Sequence, residues 1–102
     1  MENSCKFRGG LRSGNLNATW PFASMEISKE HIEIKSILGN HKFRPDDISA
    51  ILKHHGIFSQ GLKIIHHTGE LIFWTFQRKT VLQCLSDFGY AGKFKKTVKN
   101  KR

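Results

Sequence analysis

The fold is decided by the stretch LKIIHHTGELIFWTF, residues 62–76. It contains two runs, 62–67 and 71–76, that are rich in β-branched and aromatic residues, and a polar segment, 68–70, lies between them. Such runs are typical of β-strands, and a loop of about three residues joins neighbouring antiparallel strands. The stretch therefore predicts two antiparallel strands connected by a tight turn.

The residues before this stretch continue the antiparallel pattern. Segment 48–58 has the composition of another strand, and the turn after it is predicted at Ser59-Gln60-Gly61. Further upstream, 22–28 and 32–37 alternate apolar and polar residues with the two-residue period of half-buried strands, which predicts a hairpin between them. Three shorter predictions complete the order: a strand or ordered loop at 5–12, a strand at 41–44, and one helical turn or a tight loop at 44–48.

The hydrophobic period changes after residue 76. The apolar residues that follow recur at the spacing of one face of an α-helix: Val81, Leu82, Leu85 and Phe88. Gly89 comes next, and glycine commonly ends a helix because it adopts the left-handed conformation without strain. We expect a helix over 78–88 that packs its apolar stripe against the sheet. The predicted fold class is mainly β with one C-terminal helix.

The positive charge of the chain is concentrated at its C-terminus. The 102 residues carry a formal net charge of +9, and segment 93–102 contains six basic residues and no acidic one. The rest of the chain has eleven basic and eight acidic side chains, a net of +3. The six basic residues are Lys93, Lys95, Lys96, Lys99, Lys101 and Arg102. We therefore expect one mildly basic domain, 1–92, and a basic, disordered tail, 93–102.

The cysteines and the hydropathy pattern favour a cytoplasmic protein. Cys5 and Cys84 have neither the number nor the spacing of a disulfide framework or a zinc site, so two reduced thiols are expected. The N-terminus has no continuous apolar run of the kind found in signal peptides. No stretch approaches the roughly 18 apolar residues that a membrane span requires. We expect a cytoplasmic location and no membrane span.

Four segments within about residues 5–90 carry a resemblance to a known family: GNLNATWPFA at 14–23, the strand 32–37, LIFWT at 71–75 and the helix that ends in FGY at 88–90. Their pattern and order resemble the small bacterial pleckstrin-homology-like (PH-like) domain proteins. The resemblance implies six to seven antiparallel strands that form a curled, partly open barrel capped by the C-terminal helix. It also implies a binding module without catalysis. The phosphoinositide site of eukaryotic members does not transfer, because Lys29 beside Glu30 replaces the required cluster of basic residues.

Four histidines are candidate ligand-binding residues: His54, His55, His66 and His67. If the two strands pair so that the residue numbers of partners sum to about 121, His55 lies opposite His66 and His54 lies opposite His67. Cross-strand neighbours have Cβ atoms about 5 Å apart, which is close enough for two imidazoles to share a metal. A third ligand is not evident, and a slip of one residue would separate the pairs. No metal and no cofactor is therefore predicted, and solvated histidines or a pH-dependent surface charge are the alternatives.

Trp20 is the candidate ligand-binding residue among the aromatic side chains. It precedes Pro21, which is predicted at the first position of a strand or on an edge because proline cannot donate a ladder hydrogen bond. Trp20 is thus placed to line a groove. Together with Phe22, Phe73, Trp74 and Phe76 it could also form a stacking platform for single-stranded nucleic acid. Segment 71–76 is apolar on both faces, however, which favours core packing where the sheet meets the helix.

No residue pattern predicts catalysis. Asp46 and Asp47 are adjacent and point apart on a helical turn, where their charge favours the helix N-terminus. The triplet Asp87-Phe88-Gly89 lacks the other motifs of a kinase, so it is a chance match.

The leading expectation is therefore a non-enzymatic interaction module that binds a protein or peptide, with an added strand on an open sheet edge as one mode. The alternative is a small basic β-protein that contacts nucleic acid or another polyanion through its Lys-rich tail. The tail could also be solvated, or contact an anionic membrane surface. Open sheet edges favour self-association, of which a homodimer is the simplest form.

Overall fold

A computed structural model describes residues 4–14, 16–37, 39–55 and 60–95 of the chain. The strands are β1 (Ser4–Ser13), β2 (Leu16–Ser28), β3 (Ile32–Ser36), β4 (Gly39–Phe43), β5 (Ile48–His55), β6 (Gln60–His66) and β7 (Gly69–Thr75). The α-helix α1 (Arg78–Asp87) follows them, and short 3-10 helices lie at Pro45–Asp47 and Ala91–Lys93. The predicted fold class is confirmed: in the described ranges, seven antiparallel strands form a curled half-barrel and one α-helix comes after them.

All seven strands belong to one sheet, in the order β4-β3-β2-β1-β7-β6-β5. The central strand is β1, which pairs with β2 and, from Gly10 to Arg12, with β7. The two edges are β4 and β5. The sheet curls so that edge strand β4 approaches β6, where the ring centroids of Phe43 and His66 are 4.7 Å apart. Side chains close the half-barrel at this point, since β4 and β6 are not neighbours in the sheet.

Alternating side chains fill the inside of the half-barrel. The inward residues of β2 and β3 are fully buried, as the two-residue period predicts: Met25, Ile27, Ile32 and Ile34. The strands β6 and β7 and the helix add Leu62, Ile64, Leu71, Phe73, Val81, Cys84 and Leu85. Each large apolar side chain contributes roughly 1.5–3 kcal/mol when it leaves water. This cluster is therefore the main force that holds the sheet and the helix together.

The C-terminal end of α1 is anchored to β2 by a tyrosine. Gly89 has a φ of 95°, which ends the helix where the sequence predicts it. The chain then turns back, and the Tyr90 amide donates to the carbonyl of Leu85 at 2.9 Å. The Tyr90 side chain is 1% exposed, and its hydroxyl donates to the carbonyl of Ser28 at 2.8 Å. The helix end is thus tied to the end of β2 by a buried hydrogen bond.

Pro21 lies inside β2 and not at the first position of the strand. It does lie on a locally open edge, because β3 pairs with β2 from Ala23 to Ile27. On the other side of β2 the register with β1 changes: Gly9 pairs with Ala23, whereas Leu11 pairs with Ala18. Residues 19–22 therefore face Gly10 alone and leave the ladder as a bulge, which we call the β2 bulge. A bulged residue needs no ladder hydrogen bond, so β2 can accommodate proline there. The Trp20–Pro21 peptide bond is cis.

The predicted pairing of β5 with β6 is wrong. The turn predicted at Ser59-Gln60-Gly61 does not extend that far, because β6 begins at Gln60. His54 pairs with Gly61, and His66 pairs with Ile48, so paired positions sum to 115 near the turn instead of 121. The physical reason is that Gly61 packs as a strand residue beneath Trp74, where its missing Cβ makes room. Residues 56–59 lie outside the described ranges.

Cys5 and Cys84 form a disulfide bond, which corrects the expectation of two reduced thiols. They are 79 residues apart in sequence, and their Cα atoms are 6.6 Å apart. Cys84 is 4% exposed on the inner face of α1, which the fold places against the beginning of β1. Sequence spacing could not predict this bond, because the contact exists only after the sheet has curled and the helix has docked.

The predicted tail is in contact with the sheet where it begins. After the 3-10 helix Ala91–Lys93, Phe94 forms a parallel bridge with Ile51, and the Lys95 amide donates to the Ile51 carbonyl at 3.0 Å. The Phe94 side chain packs against the hydrophobic core. Edge strand β5 is therefore partly covered by the chain's own C-terminal segment. Lys96, Lys99, Lys101 and Arg102 lie outside the described residues.

Candidate binding surface

The exposed apolar side chains are concentrated in one region of the outer surface. Four large hydrophobic residues are exposed in the described ranges: Trp20 at 44%, Phe22 at 55%, Ile37 at 75% and Phe76 at 71%. We call these four residues the outer patch. The rings of Trp20 and Phe76 meet edge to face, with centroids 5.5 Å apart. Ile37 follows Ser36, whose partner Ala23 follows Phe22, so β3 and β2 bring these two side chains to neighbouring positions.

The β2 bulge explains why aromatic side chains lie on the outside here. Residues 19–22 leave the ladder and carry Trp20 and Phe22 away from the core. The Arg8 guanidinium donates to the Pro21 carbonyl at 3.2 Å and so binds the bulge to β1. The hydroxyl of Thr75 donates to the Arg8 carbonyl at 2.9 Å, which fixes the end of β7, and hence Phe76, beside the bulge.

Two glycines support the surface next to the outer patch. Trp74 lies on the outer face of β7, two residues before Phe76, and its neighbours on the adjacent strands are Gly10 and Gly61. A Cβ on Gly10 would come within 2.7 Å of the Trp74 indole, and a Cβ on Gly61 within 2.9 Å of the Trp74 Cβ. The half-buried indole therefore occupies space that only glycine leaves.

The aromatic side chains predicted to pack in the core are thus divided between the two faces of the sheet. Phe73 is fully buried, in agreement with the core interpretation. Phe76 is exposed, which contradicts it. Trp20 and Phe22, which lie outside segment 71–76, are exposed as well. The helix covers the inner face of the sheet, so it does not shield the outer face of β7. The candidate residue Trp20 belongs to the outer patch together with Phe22 and Phe76, which were grouped with it from the sequence, and with Ile37, which was not.

The two histidine pairs lie at opposite ends of the β5–β6 hairpin. His54 is next to the turn, and its carbonyl accepts a hydrogen bond from Arg78 at 3.2 Å. The side chain of His55 lies outside the described residues. His66 is at the far end of β6, with its Nδ1 3.0 Å from the Thr68 hydroxyl. His67 places its Nδ1 3.8 Å from a carboxylate oxygen of Asp47. The register thus rules out the metal site considered across the four histidines.

His66 instead lies beside His41, a neighbour that the sequence did not indicate. Burial, and then the nearby His41 and His67, lower the pKa of His66, while Asp47 opposes the shift. A cleft of about 710 Å³ lies here, and its lining includes Arg12, Ser13, His41, His66, Thr68 and Glu70. Among the described residues, no group of three or more His, Cys, Asp or Glu side chains is arranged to hold a metal ion.

The central cross-strand rows of the outer face carry basic side chains. The cross-strand row through Arg8 continues through Ser24 to Lys35. The row through Arg12 continues through Ile72 to Lys63. Trp74 and Gly10 form the row between these two. The charged residues in these rows are all basic, so the central outer face is a cationic and aromatic surface.

The basic residues predicted to bind polyanions are described in part. Of the six, the described ranges include Lys93 and Lys95, next to edge strand β5.

No helix within the described ranges is long and apolar enough to span a membrane. Models of known protein families give no match to this chain, and a search of curated proteins finds no relative. The candidate surface must therefore be interpreted from its own geometry.

Proposed function

We propose that this protein is a non-enzymatic interaction module of the PH-like type that binds a protein or peptide partner through the outer patch. The observation that carries the proposal is the exposure of Trp20, Phe22 and Phe76 at 44%, 55% and 71% within one surface region. Exposed apolar residues scattered singly are ordinary, whereas a contiguous group of them is typical of an interaction site. Tryptophan and other aromatic residues also dominate the binding energy of protein interfaces.

Two features support the PH-like part of the proposal. The strand order joins the first four strands and the last three through the β1–β7 pairing, and the curled sheet is followed by one helix. Fold and activity are separate questions, however, so the partner class rests on the surface alone. Added-strand binding has one candidate edge in β4, because the C-terminal segment partly covers β5 at Ile51.

The proposal is tested by capture from lysate of the native cell on the immobilised full chain. Trp20→Ala should lose the specific partner, because it truncates the central ring of the patch. Ile65→Ala is the matched control: Ile65 is a half-exposed apolar residue at the far end of β6, opposite Glu70. Thermal unfolding of both variants confirms that they fold. A partner that both variants retain equally would exclude the outer patch as its binding site.

The expected cytoplasmic location needs its own test. Cytosolic reductants keep thiols reduced, so the Cys5–Cys84 disulfide favours an oxidising compartment instead. Counting free thiols in protein isolated from cells under alkylating conditions decides between them. Two free thiols per chain would support a cytoplasmic location, whereas zero free thiols per chain would contradict it.

A further inference from the structure

We infer that the partner segment is acidic and extended, a short stretch of polypeptide in which Asp or Glu residues surround one or two bulky apolar side chains. This inference rests on the proposed function, because it names the chemistry of what the outer patch binds. It follows from the charges around the patch, from the size of the patch and from the charge of the whole chain.

The charges next to the patch are positive. Arg8 and Lys35 lie in the row beside the β2 bulge, one on each side of Ser24, and both are exposed. Strands are about 4.8 Å apart, so these two cations are roughly 10 Å from each other. Arg12 lies further along β1 and lines the cleft that also contains His66 and Glu70. A ligand that crosses the patch therefore passes the two cations Arg8 and Lys35.

The acidic residues of the outer face have basic residues beside them, and Glu26 and Glu33 line a small cavity together with Lys6 and Lys35. Glu26 and Glu33 are paired with each other in a row that also contains Lys6 and Lys42, two residues along the strands from Arg8 and Lys35. The two acidic and the two basic residues of that row give it a net charge of zero. On the opposite side, Glu70 is the nearest acid, and it is 3.6 Å from the ammonium of Lys63. The surplus positive charge is thus located at the outer patch itself, which favours an acidic ligand.

The net charge of the chain argues against a second copy of it as the main occupant of the patch. The full surface of each of these four side chains is taken as about 150–250 Å². Multiplied by their exposed fractions, this gives about 500 Å² of exposed apolar area. A stable protein–protein interface buries about 800 Å² on each partner. Two copies would also bring together two chains of net charge +9. A short segment of opposite charge fits both the area and the charge.

The path across the patch sets the length of that segment. From Phe76 on the β7 side to Ile37 on the β3 side, the patch crosses β7, β1, β2 and β3, which are consecutive neighbours in the sheet. Three spacings between strands amount to about 14 Å. An extended chain covers that distance with about four or five residues at roughly 3.4 Å each. Flanking acidic residues then reach Arg8 and Lys35.

The experiment is a selection from a displayed library of random 12-residue peptides on the intact protein, with a parallel selection on Trp20→Ala. We expect the enriched peptides to be strongly acidic, to contain aromatic or large aliphatic residues, and to lose at least tenfold in affinity on Trp20→Ala. Screening by salt should weaken the binding about tenfold between 0.05 and 0.5 M NaCl. Single-stranded oligothymidylate, added as competitor, should not displace these peptides at equimolar concentration.

Two charge variants form a matched pair. Lys35→Glu should weaken the enriched peptides about three- to tenfold, whereas Lys42→Glu, with the same change of net charge in the balanced row, should weaken them less than twofold. Enrichment of neutral or basic peptides that still depend on Trp20 would overturn the inference and leave the proposed function standing. No Trp20-dependent peptide, or displacement by the oligonucleotide, would overturn both.

Discussion

Removal of the Tyr90 hydroxyl is the sharpest test of how the helix is fixed to the sheet. The hydroxyl is buried and donates to the Ser28 carbonyl at 2.8 Å. Tyr90→Phe keeps the ring in place, removes one hydrogen bond and leaves that carbonyl without its partner. Such a loss costs about 1–3 kcal/mol. We expect the free energy of unfolding to fall by about 2 kcal/mol, and the melting temperature by about 10 °C for a domain of this size.

The free energy is measured by urea unfolding followed by tryptophan fluorescence. The slope of the free energy against urea concentration should not change, because the substitution alters stability and not the surface exposed on unfolding. Equal unfolding midpoints for Tyr90→Phe and the unsubstituted protein would refute the anchoring role. Thr80→Ala, at an exposed position of α1, serves as the control for a substitution in the same element.

The same anchor has a pH signature. Burial, and to a smaller degree the charge of Glu30, raises the pKa of Tyr90 to about 12. The folded state therefore holds the proton more tightly than the unfolded state, whose tyrosine titrates near 10. The resulting stability is fully present below pH 10 and is lost as the pH rises towards 12. Tyr90 is the only tyrosine of the chain, so tyrosinate absorbance reports its titration directly. A titration midpoint near 10 would contradict the buried hydrogen bond.

Three further predictions concern other parts of the fold. The pKa of His66 is lowered in the folded state, so stability should decline as the pH falls below about 6.5, and His66→Gln should reduce this decline in urea titrations at several pH values. Replacing Cys5 and Cys84 by alanine should lower the free energy of unfolding by about 4.5 kcal/mol, because the bond closes a loop of 79 residues, and unchanged stability would exclude it. Gly9→Ala should cost about 3 kcal/mol or more, since its Cβ would clash with the backbone carbonyl oxygen of Trp74 and come within 2.8 Å of the Phe73 ring. Gly92→Ala, with open space around it, should cost less than 0.5 kcal/mol by the same measurement.

Much of the fold could be predicted because it depends on local pattern. The alternation in 22–28 and 32–37 sets which side chains face inward, and Met25, Ile27, Ile32 and Ile34 are buried accordingly. The helix was predicted at 78–88 and is found at Arg78–Asp87, since its apolar period and Gly89 are both local signals. Fold class follows from such signals, and so do most element boundaries.

The parts that could not be predicted depend on contacts between distant segments. The register of β5 with β6 is set by the packing of Gly61 under Trp74, and that contact requires β7. The disulfide needs the helix to dock beside β1. The outer patch requires the register change at Gly9 and Leu11, which pushes residues 19–22 outward. The local sequence identifies Trp20 as a candidate residue but predicts that it lines a groove. The bulge itself could not be predicted, because it depends on how two strands pair.

The claim that the outer patch is the binding site is tested most directly by amide chemical-shift changes on addition of an enriched acidic peptide to the full chain. The account predicts that the largest changes occur at Arg8, Trp20, Phe22 and Phe76, and that Trp20→Ala abolishes them. Changes that instead cluster at His41, His66 and Thr68, around the cleft at the other end of the sheet, would contradict it.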